Sequence, residues 1–589
     1  MKSFFKIFFA SLAALFIFTI IAVIILLGAL SGLAKPEKVN TGGNAVLVLD
    51  LSQPLSEVKV SNPLAGLGDK ENYENPSLYE AVRLIHYAQT DSAIKGIYIK
   101  CGSNSNGFAA SEEIRNELAA FKSSGKFIYA YADVITQGAY YIANVADKVY
   151  CNPKGGIDWK GMAMQMVFLK GTLEKLEIEP QIFYAGKFKS ATEPLREEKM
   201  TEANKLQSNV LLNDLYGNFL QQAAAARKID TATLHQYANE SRIKYAADAL
   251  QYKLVDGLRY DDEVKDELKA KLKVGKYDKI NFVSLGKYAQ AVNGRFAHAT
   301  QFGKDKIAVI YAQGDIVDGK GDRDMIGGET YRNLVRKARL DEKVKAIVIR
   351  INSGGGSALA SENIWRELTI ARKDKPVIIS FGDVAASGGY YLACNADSIF
   401  AQPNTITGSI GVFAILPNMQ NFFKNKLGVT FDGVKTSPDA DALSIAKPLT
   451  PAQRQYFQND VDTIYHTFKQ RVADGRKKSI EFIDSIGQGR VWSGSRALEL
   501  GLVDRIGGLD DAIASAAAMA KITDYGLQEY PEPKSLLEMI FGDYQQNAKQ
   551  SAIKEELGPD GMKIYSTIKR VKTMLGVSQA RLPFDFTIE

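Results

Sequence analysis

Histidine is nearly missing from this chain. Of 589 residues only four are histidine, His86, His235, His298 and His466. None is flanked in sequence by a carboxylate placed to orient it. A Ser–His–Asp arrangement therefore has little to draw on, although such triads are defined by geometry rather than chain order. Cysteine is as sparse, with Cys101, Cys151 and Cys394 the full set. An odd count without C-x-x-C spacing offers neither a disulfide framework nor a structural zinc site. Cys101 and Cys394 lie in apolar segments, where a buried free thiol is the usual outcome. No H-E-x-x-H stretch or His/Cys cluster suggests a metal centre. GGNAVL and GSNSNG are glycine-rich but lack the Lys–Ser/Thr ending of a phosphate loop. No cofactor or metal is expected. A net charge of +6, with lysines and arginines interspersed among acids, excludes the basic stripe of a nucleic-acid groove.

Charge is also absent from one long stretch. Between Lys6 and Lys35 lie 28 residues with no charged side chain. About 20 apolar residues cross a bilayer, so this run can span one with room to tilt. A cleavable signal has a shorter apolar core, which favours a retained anchor. Lys2 and Lys6 place the N-terminus in the cytoplasm and the bulk of the chain outside it, although Lys35 and Lys38 soften that bias. In a bacterium this is the periplasmic face of the inner membrane.

The remaining chain is too long for one hydrophobic core, and it repeats itself. DVITQGAYYIANVADKVYCNP (133–153) recurs 250 residues later as DVAASGGYYLACNADSIFAQP (383–403). Residues 131–153 and 381–403 share nine identities in 23 positions, and 96–118 and 346–368 share another nine in 23. A constant, ungapped offset marks an internal duplication. ADALQYKLVDGLRYDD (247–262) and RALELGLVDRIGGLDD (496–511) close the two copies. The expected organisation is an anchor and linker over 1–44, a first repeat over 45–262, a connector over 263–306, a second repeat over 307–513 and a mostly helical tail over 514–589. Within each repeat, apolar β-branched runs (GIYIK, AIVIR) alternate with helical stretches. That pattern predicts an α/β fold with a largely parallel sheet covered on both faces.

The copies differ at one residue that can do chemistry: Ser387 stands where the first copy has Gln137. Ser387 follows a strand-like run (PVIISFGD) and precedes Gly388 and Gly389 at the expected start of a helix. A hydroxyl on such a turn, with free glycine amides and a helix N-terminus nearby, has the parts of a nucleophile beside an oxyanion site. An arbitrary S-G-G is more often only a helix cap. A second glycine cluster, NSGGGS (352–357), ends the preceding parallel strand, and such ends converge on a ligand crevice. The serine needs a base. Without histidine this is a carboxylate or a lysine kept neutral by burial. QIFYAGKFKSATEPL (181–195) offers Lys187 and Lys189 among aromatics, whereas the second repeat has Thr436 and Ser437 near that position.

Together the segments DVAASGGYY, GKFKSATEP, TGSIGVF (407–413) and RVWSGSRALELGLVD (490–504) resemble the long, duplicated form of the bacterial signal peptide peptidases (SppA) over about 45–540. The resemblance implies tandem ClpP/crotonase-like domains and a Ser/Lys dyad split between the halves. Ser387 would be the nucleophile, Lys189 the general base and Ser409 the residue orienting the lysine. Gly388 and a glycine of the turn, Gly355 or Gly356, would supply the oxyanion amides. The family's turn reads S-P-G-G, whereas this chain has Gly354 in the proline's place. Also implied are a membrane-tethered homotetramer and cleavage of signal peptides already released from preproteins. A groove of small and apolar residues would take an extended substrate by strand addition. The competing expectations are a crotonase-like acyl-thioester enzyme, which needs neither dyad nor anchor, and a non-catalytic membrane scaffold.

Overall fold

Two parallel sheets built on one plan carry the two halves. The computed structural model describes residues 2–33, 39–58, 75–292, 304–322, 324–532 and 578–582. The first sheet comprises β1 (Ala45–Asp50), β2 (Ile94–Lys100), β3 (Phe127–Ile135), β4 (Lys148–Ile157), β6 (Gly257–Leu258) and β7 (Asn281–Ser284), with β5 (Glu179–Ala185) elsewhere. Its order is β6-β4-β3-β2-β1-β7, with every pairing parallel. In the second half the equivalents are β8 (Asp305–Gln313), β11 (Val344–Ser353), β13 (Val377–Ala386), β14 (Ser398–Ala401), β18 (Arg505–Ile506) and β19 (Tyr525–Tyr530). They pair in the corresponding order, β18-β14-β13-β11-β8-β19, all parallel. Central strands such as β11 are buried almost throughout, because β-branched runs covered by helices on both faces leave no polar side. All three cysteines are free and buried, and burial pushes the Cys151 thiol up to about 11.

Two edge strands come from stretches that read in sequence as connector and tail. β7 lies within 263–306 and pairs with β1, and β19 lies within 514–589 and pairs with β8. Strands of four and six residues with mixed burial carry too little alternation to register as sheet. The rest of those stretches at 293–303, 533–577 and 583–589 lies outside the described residues. The expected membrane segment is helical over Lys2–Leu33. Its side chains are described only at 4–19 and 21, and among the described residues no helix is long and apolar enough to cross a membrane.

A third sheet stitches the halves together. It holds β9 (Asp315–Val317), β10 (Met325–Gly327), β12 (Gly355–Ser357), β16 (Val412–Asn418) and β20 (Gln579–Arg581), and takes β5 from the first half. Its order is β10-β9-β12-β20-β16-β5. β5 runs antiparallel to β16 through seven residue pairs, from Ala185 opposite Val412 to Glu179 opposite Asn418. A buried polar cluster makes a second seam. Arg350 forks onto Glu57 at 3.0 Å through both Nε and Nη2, and onto Glu113 at 2.7 Å. Beside it Asp383 accepts the Ala109 and Ala110 amides of the first repeat. With three carboxyls around one guanidinium, burial pushes Glu113 up to about 7 and raises Asp383 as well.

Candidate active site

Ser387 occupies the turn between β13 and the short helix Gly388–Ala393. Its backbone sits at φ 54° and ψ −114°, a conformation that non-glycine residues avoid. The turn is held on both sides: Ser387 N–H donates to the Gly408 carbonyl at 2.8 Å, and Tyr391 N–H donates to the Ser387 carbonyl at 2.7 Å. Strain of this kind, about 1–3 kcal/mol, persists only where the surroundings enforce it and clusters at functional sites. The side chain is fully buried. It forms no side-chain cap to its helix, so the cap reading of this S-G-G does not describe what the hydroxyl does.

The hydroxyl instead meets an amine from the other half of the chain. Lys189 Nζ lies 2.9 Å from Ser387 Oγ and 3.1 Å from Ser409 Oγ, and donates to the Ser409 carbonyl at 3.2 Å. Lys189 is 1% exposed, with no carboxylate bonded to its amine. Burial alone holds its ammonium well below the ordinary lysine range. Lys187 is exposed, with its amine over the Phe188 ring, and Thr436 and Ser437 lie in an exposed loop. Ser409 follows β15 (Ile406–Gly408), which pairs parallel with the end of β13 and so lies beside the nucleophile turn. Its own φ is 51°, fixed by a 2.7 Å bond from its N–H to the Arg490 carbonyl.

A clamp that sequence reading missed sets the lysine. Phe188 N–H donates to the Gln488 carbonyl at 2.7 Å, and Lys187 N–H to Gln488 Oε1 at 3.2 Å. Gly489, at φ +78°, comes so close that a Cβ there would stand 2.7 Å from Lys189 N, Cα and Cβ. Arg490 covers the outside, 5.1 Å over the Phe188 ring and 4.2 Å over Trp492. From below, Gln207 Nε2 donates to the Phe188 carbonyl at 3.0 Å and to Ser190 Oγ at 2.8 Å. The available signal was GQGR (487–490), just ahead of a segment already recognised.

The expected oxyanion glycines separate. Gly355 N–H donates to Ser353 Oγ at 3.1 Å, so that amide is committed elsewhere. Gly356 and Gly388 come together: a Cβ on Gly388 would stand 3.1 Å from Gly356 N. Gly354, in the family's proline position, would place a Cβ against only Leu582 Cβ, at 3.4 Å. Nothing there demands glycine.

At the matching turn of the first half, Gln137 shows the opposite pattern. The residue before it, Thr136, has an ordinary φ of −71°. Gln137 Nε2 donates to the Gly161 carbonyl, and its Oε1 accepts from the Lys160 and Gly161 amides. The side chain ties a loop down and faces no amine. Among the described histidines, His235 packs on Tyr216, and His86 meets Glu117 at 3.0 Å, a partner 31 positions away that sequence spacing does not reveal.

Known proteases resemble this chain over most of its length. The sequence model of peptidase family S49 matches the chain twice, over residues 120–275 and 369–523. Protease 4 of Salmonella typhi is 36% identical over 514 residues, covering 84% of this chain and 81% of that protein. Protease 4 of Haemophilus influenzae is 32% identical over 543 residues, covering 89% and 88%. The chloroplastic serine protease SPPA of Arabidopsis thaliana is 35% identical over 441 residues, covering 74% of this chain and 64% of that one.

Proposed function

The chain belongs to peptidase family S49 and is a serine protease, and on that premise we propose that Ser387 is its nucleophile, Lys189 its general base and Ser409 the residue that orients the lysine. The observation that carries this reading is the 2.9 Å contact between a buried amine, bonded to no carboxylate, and a serine held at positive φ. Burial disfavours the charged form of Lys189, and the neutral amine takes the Oγ proton as Ser387 attacks the scissile carbonyl. The oxyanion is met by the Gly356 and Gly388 amides. Collapse expels the amine, which leaves with the proton from Lys189. The same lysine then activates the water that hydrolyses the acyl-enzyme. A thioester enzyme of the crotonase kind would have no use for this amine.

The proposed substrates are apolar peptides, above all signal peptides already released from preproteins. Tethering fits them: the helix Lys2–Leu33 contains 27 of the 28 uncharged residues, which would hold a ClpP/crotonase-like catalytic region at the periplasmic side of a bacterial inner membrane. Val429, Phe431 and Val434 are exposed on one loop, a surface that suits contact between copies in a homotetramer. Hydrolysis of an apolar fluorogenic peptide tests the dyad. Ser387→Ala is expected to lose about 10⁴-fold or more and Lys189→Met about 10²–10⁴-fold, with the fold retained by circular dichroism. Full activity in either variant rules the dyad out.

A further inference from the structure

The third sheet contains a strand that comes from outside both repeats. β20 comes from near the C-terminus and inserts between β12 and β16, antiparallel to both. Its register sets Gly355 opposite Arg581, Gly356 opposite Ala580 and Ser357 opposite Gln579. Flanking bonds extend the ladder, from Leu582 N–H to the Gly354 carbonyl at 2.6 Å and from Ala358 N–H to the Ser578 carbonyl at 3.2 Å. β12 is the glycine turn of the active site, so the segment lies across the chemistry. The Ala580 carbonyl oxygen stands 2.9 Å from where a Cβ on Gly388 would be and 2.2 Å from where one on Gly355 would be. It therefore faces the cradle formed by Gly356 and Gly388.

Without β20, β12 and β16 would each present an unpaired edge to an open groove. An extended peptide binds such a groove by adding a strand, with main-chain bonds supplying affinity and pockets supplying selectivity. β20 does both. Gln579, Ala580 and Arg581 are all buried, Arg581 pairs with Asp315 at 2.6 Å, and Ser578 Oγ donates to Asp460 at 2.8 Å.

We propose that residues 578–582 are a built-in pseudosubstrate, occupying the substrate groove as its own strand and keeping the protease latent until the segment is displaced. This rests on the reading of Ser387 as nucleophile. Ala580 then occupies the subsite on the acyl side of the scissile bond. Because Ala580 is fully buried there, that subsite takes a small side chain, and peptides with alanine, glycine or serine at this position compete best with β20. An incoming peptide pays for displacement through its apparent affinity, since a groove open only a tenth of the time raises KM about tenfold.

The test is a full-length Ala580→Trp variant, whose side chain cannot seat, assayed on a peptide with alanine before the cut. KM is expected to fall about tenfold or more, with kcat unchanged. A synthetic peptide of residues 575–584 (LGVSQARLPF) is expected to inhibit this variant competitively. A second variant ending at Val577 should behave in the same way, which guards against a misfolded tryptophan variant. Unchanged KM in both, loss of kcat in both, or non-competitive inhibition overturns the proposal. So does cleavage of the Ala580–Arg581 bond in the full chain, read by intact mass and absent from Ser387→Ala, because the strand would then be a substrate. Hydrolysis persisting in Ser387→Ala is a different failure, that of the dyad itself.

Discussion

Replacing Gly489 by alanine puts one methyl group where the structure has no room, and the consequences can be followed to the rate. The new Cβ would lie 2.7 Å from three Lys189 atoms, N, Cα and Cβ. Carbon atoms in contact settle at about 3.5–4.0 Å, so the Lys189 backbone must withdraw by roughly 1 Å. The neighbours give little, since Gly489 N–H is bonded to the Ile410 carbonyl at 2.7 Å and the Lys187–Phe188 segment to Gln488. Nζ starts 2.9 Å from Ser387 Oγ, and a hydrogen bond is lost by about 3.6 Å. A misplacement of that order costs about 100-fold in rate, or about 2.7 kcal/mol of barrier. The φ of +78° adds about 1–2 kcal/mol of destabilisation, since alanine avoids that region. The assay pairs kcat/KM on an apolar peptide with urea unfolding. Gly433→Ala is the control, having nothing within 4 Å of the new Cβ. If Gly489→Ala loses stability but keeps its rate, the lysine is not positioned by this clamp.

The depressed Lys189 ammonium predicts kcat/KM that rises with pH through the lowered pKa and levels off below the ordinary lysine value of 10.5; a profile falling between neutral and mildly alkaline pH contradicts it. Between those two pKa values the unfolded chain binds a proton that the folded chain rejects, so stability rises with pH there. Lys189→Met should therefore melt higher than the parent at neutral pH, with the gap closing as pH approaches 10.5, as differential scanning calorimetry would show. Arg350→Met leaves Glu57 and Glu113 buried without their cation and should cost about 3–5 kcal/mol in denaturant titration; adding Glu57→Gln and Glu113→Gln should recover part of it. Gln137→Ser should leave kcat/KM unchanged and, combined with Ser387→Ala, should restore no hydrolysis, because no amine faces that turn.

Much of the site was legible because duplication supplies its own comparison. Ser387 against Gln137 marks the candidate nucleophile without any coordinates, whereas Lys189 stood out only through the family resemblance, since its second-half match also holds a lysine, Lys435. Local rules also served the sheet cores, where β-branched runs leave one structural solution. The unread parts share a cause, which is dependence on distant contacts. Gln488 reaches Lys187 across 301 positions, and Glu57 reaches Arg350 across 293. Their residue types alone read as ordinary exposed polar side chains. β20 is three residues long and polar at both ends, so it carries no periodicity, and only the unpaired edges of β12 and β16 make it a strand. Choosing Gly356 over Gly355 likewise required knowing that Ser353 already holds one of the amides.

Because β5 and Lys189 come from the first half while Ser387 and Ser409 come from the second, the order of synthesis bears on safety. On the proposed dyad, a partly made chain with its first half folded holds a base with nothing to activate. The nucleophile turn completes only when β13 and β15 pair, and the amine reaches it only when β5 docks on β16. Hydrolytic power thus arrives last, at the closure of the inter-half sheet. On the proposed dyad, a chain that ends ahead of β16 has no strand on which β5 can dock and cannot bring the amine to the serine.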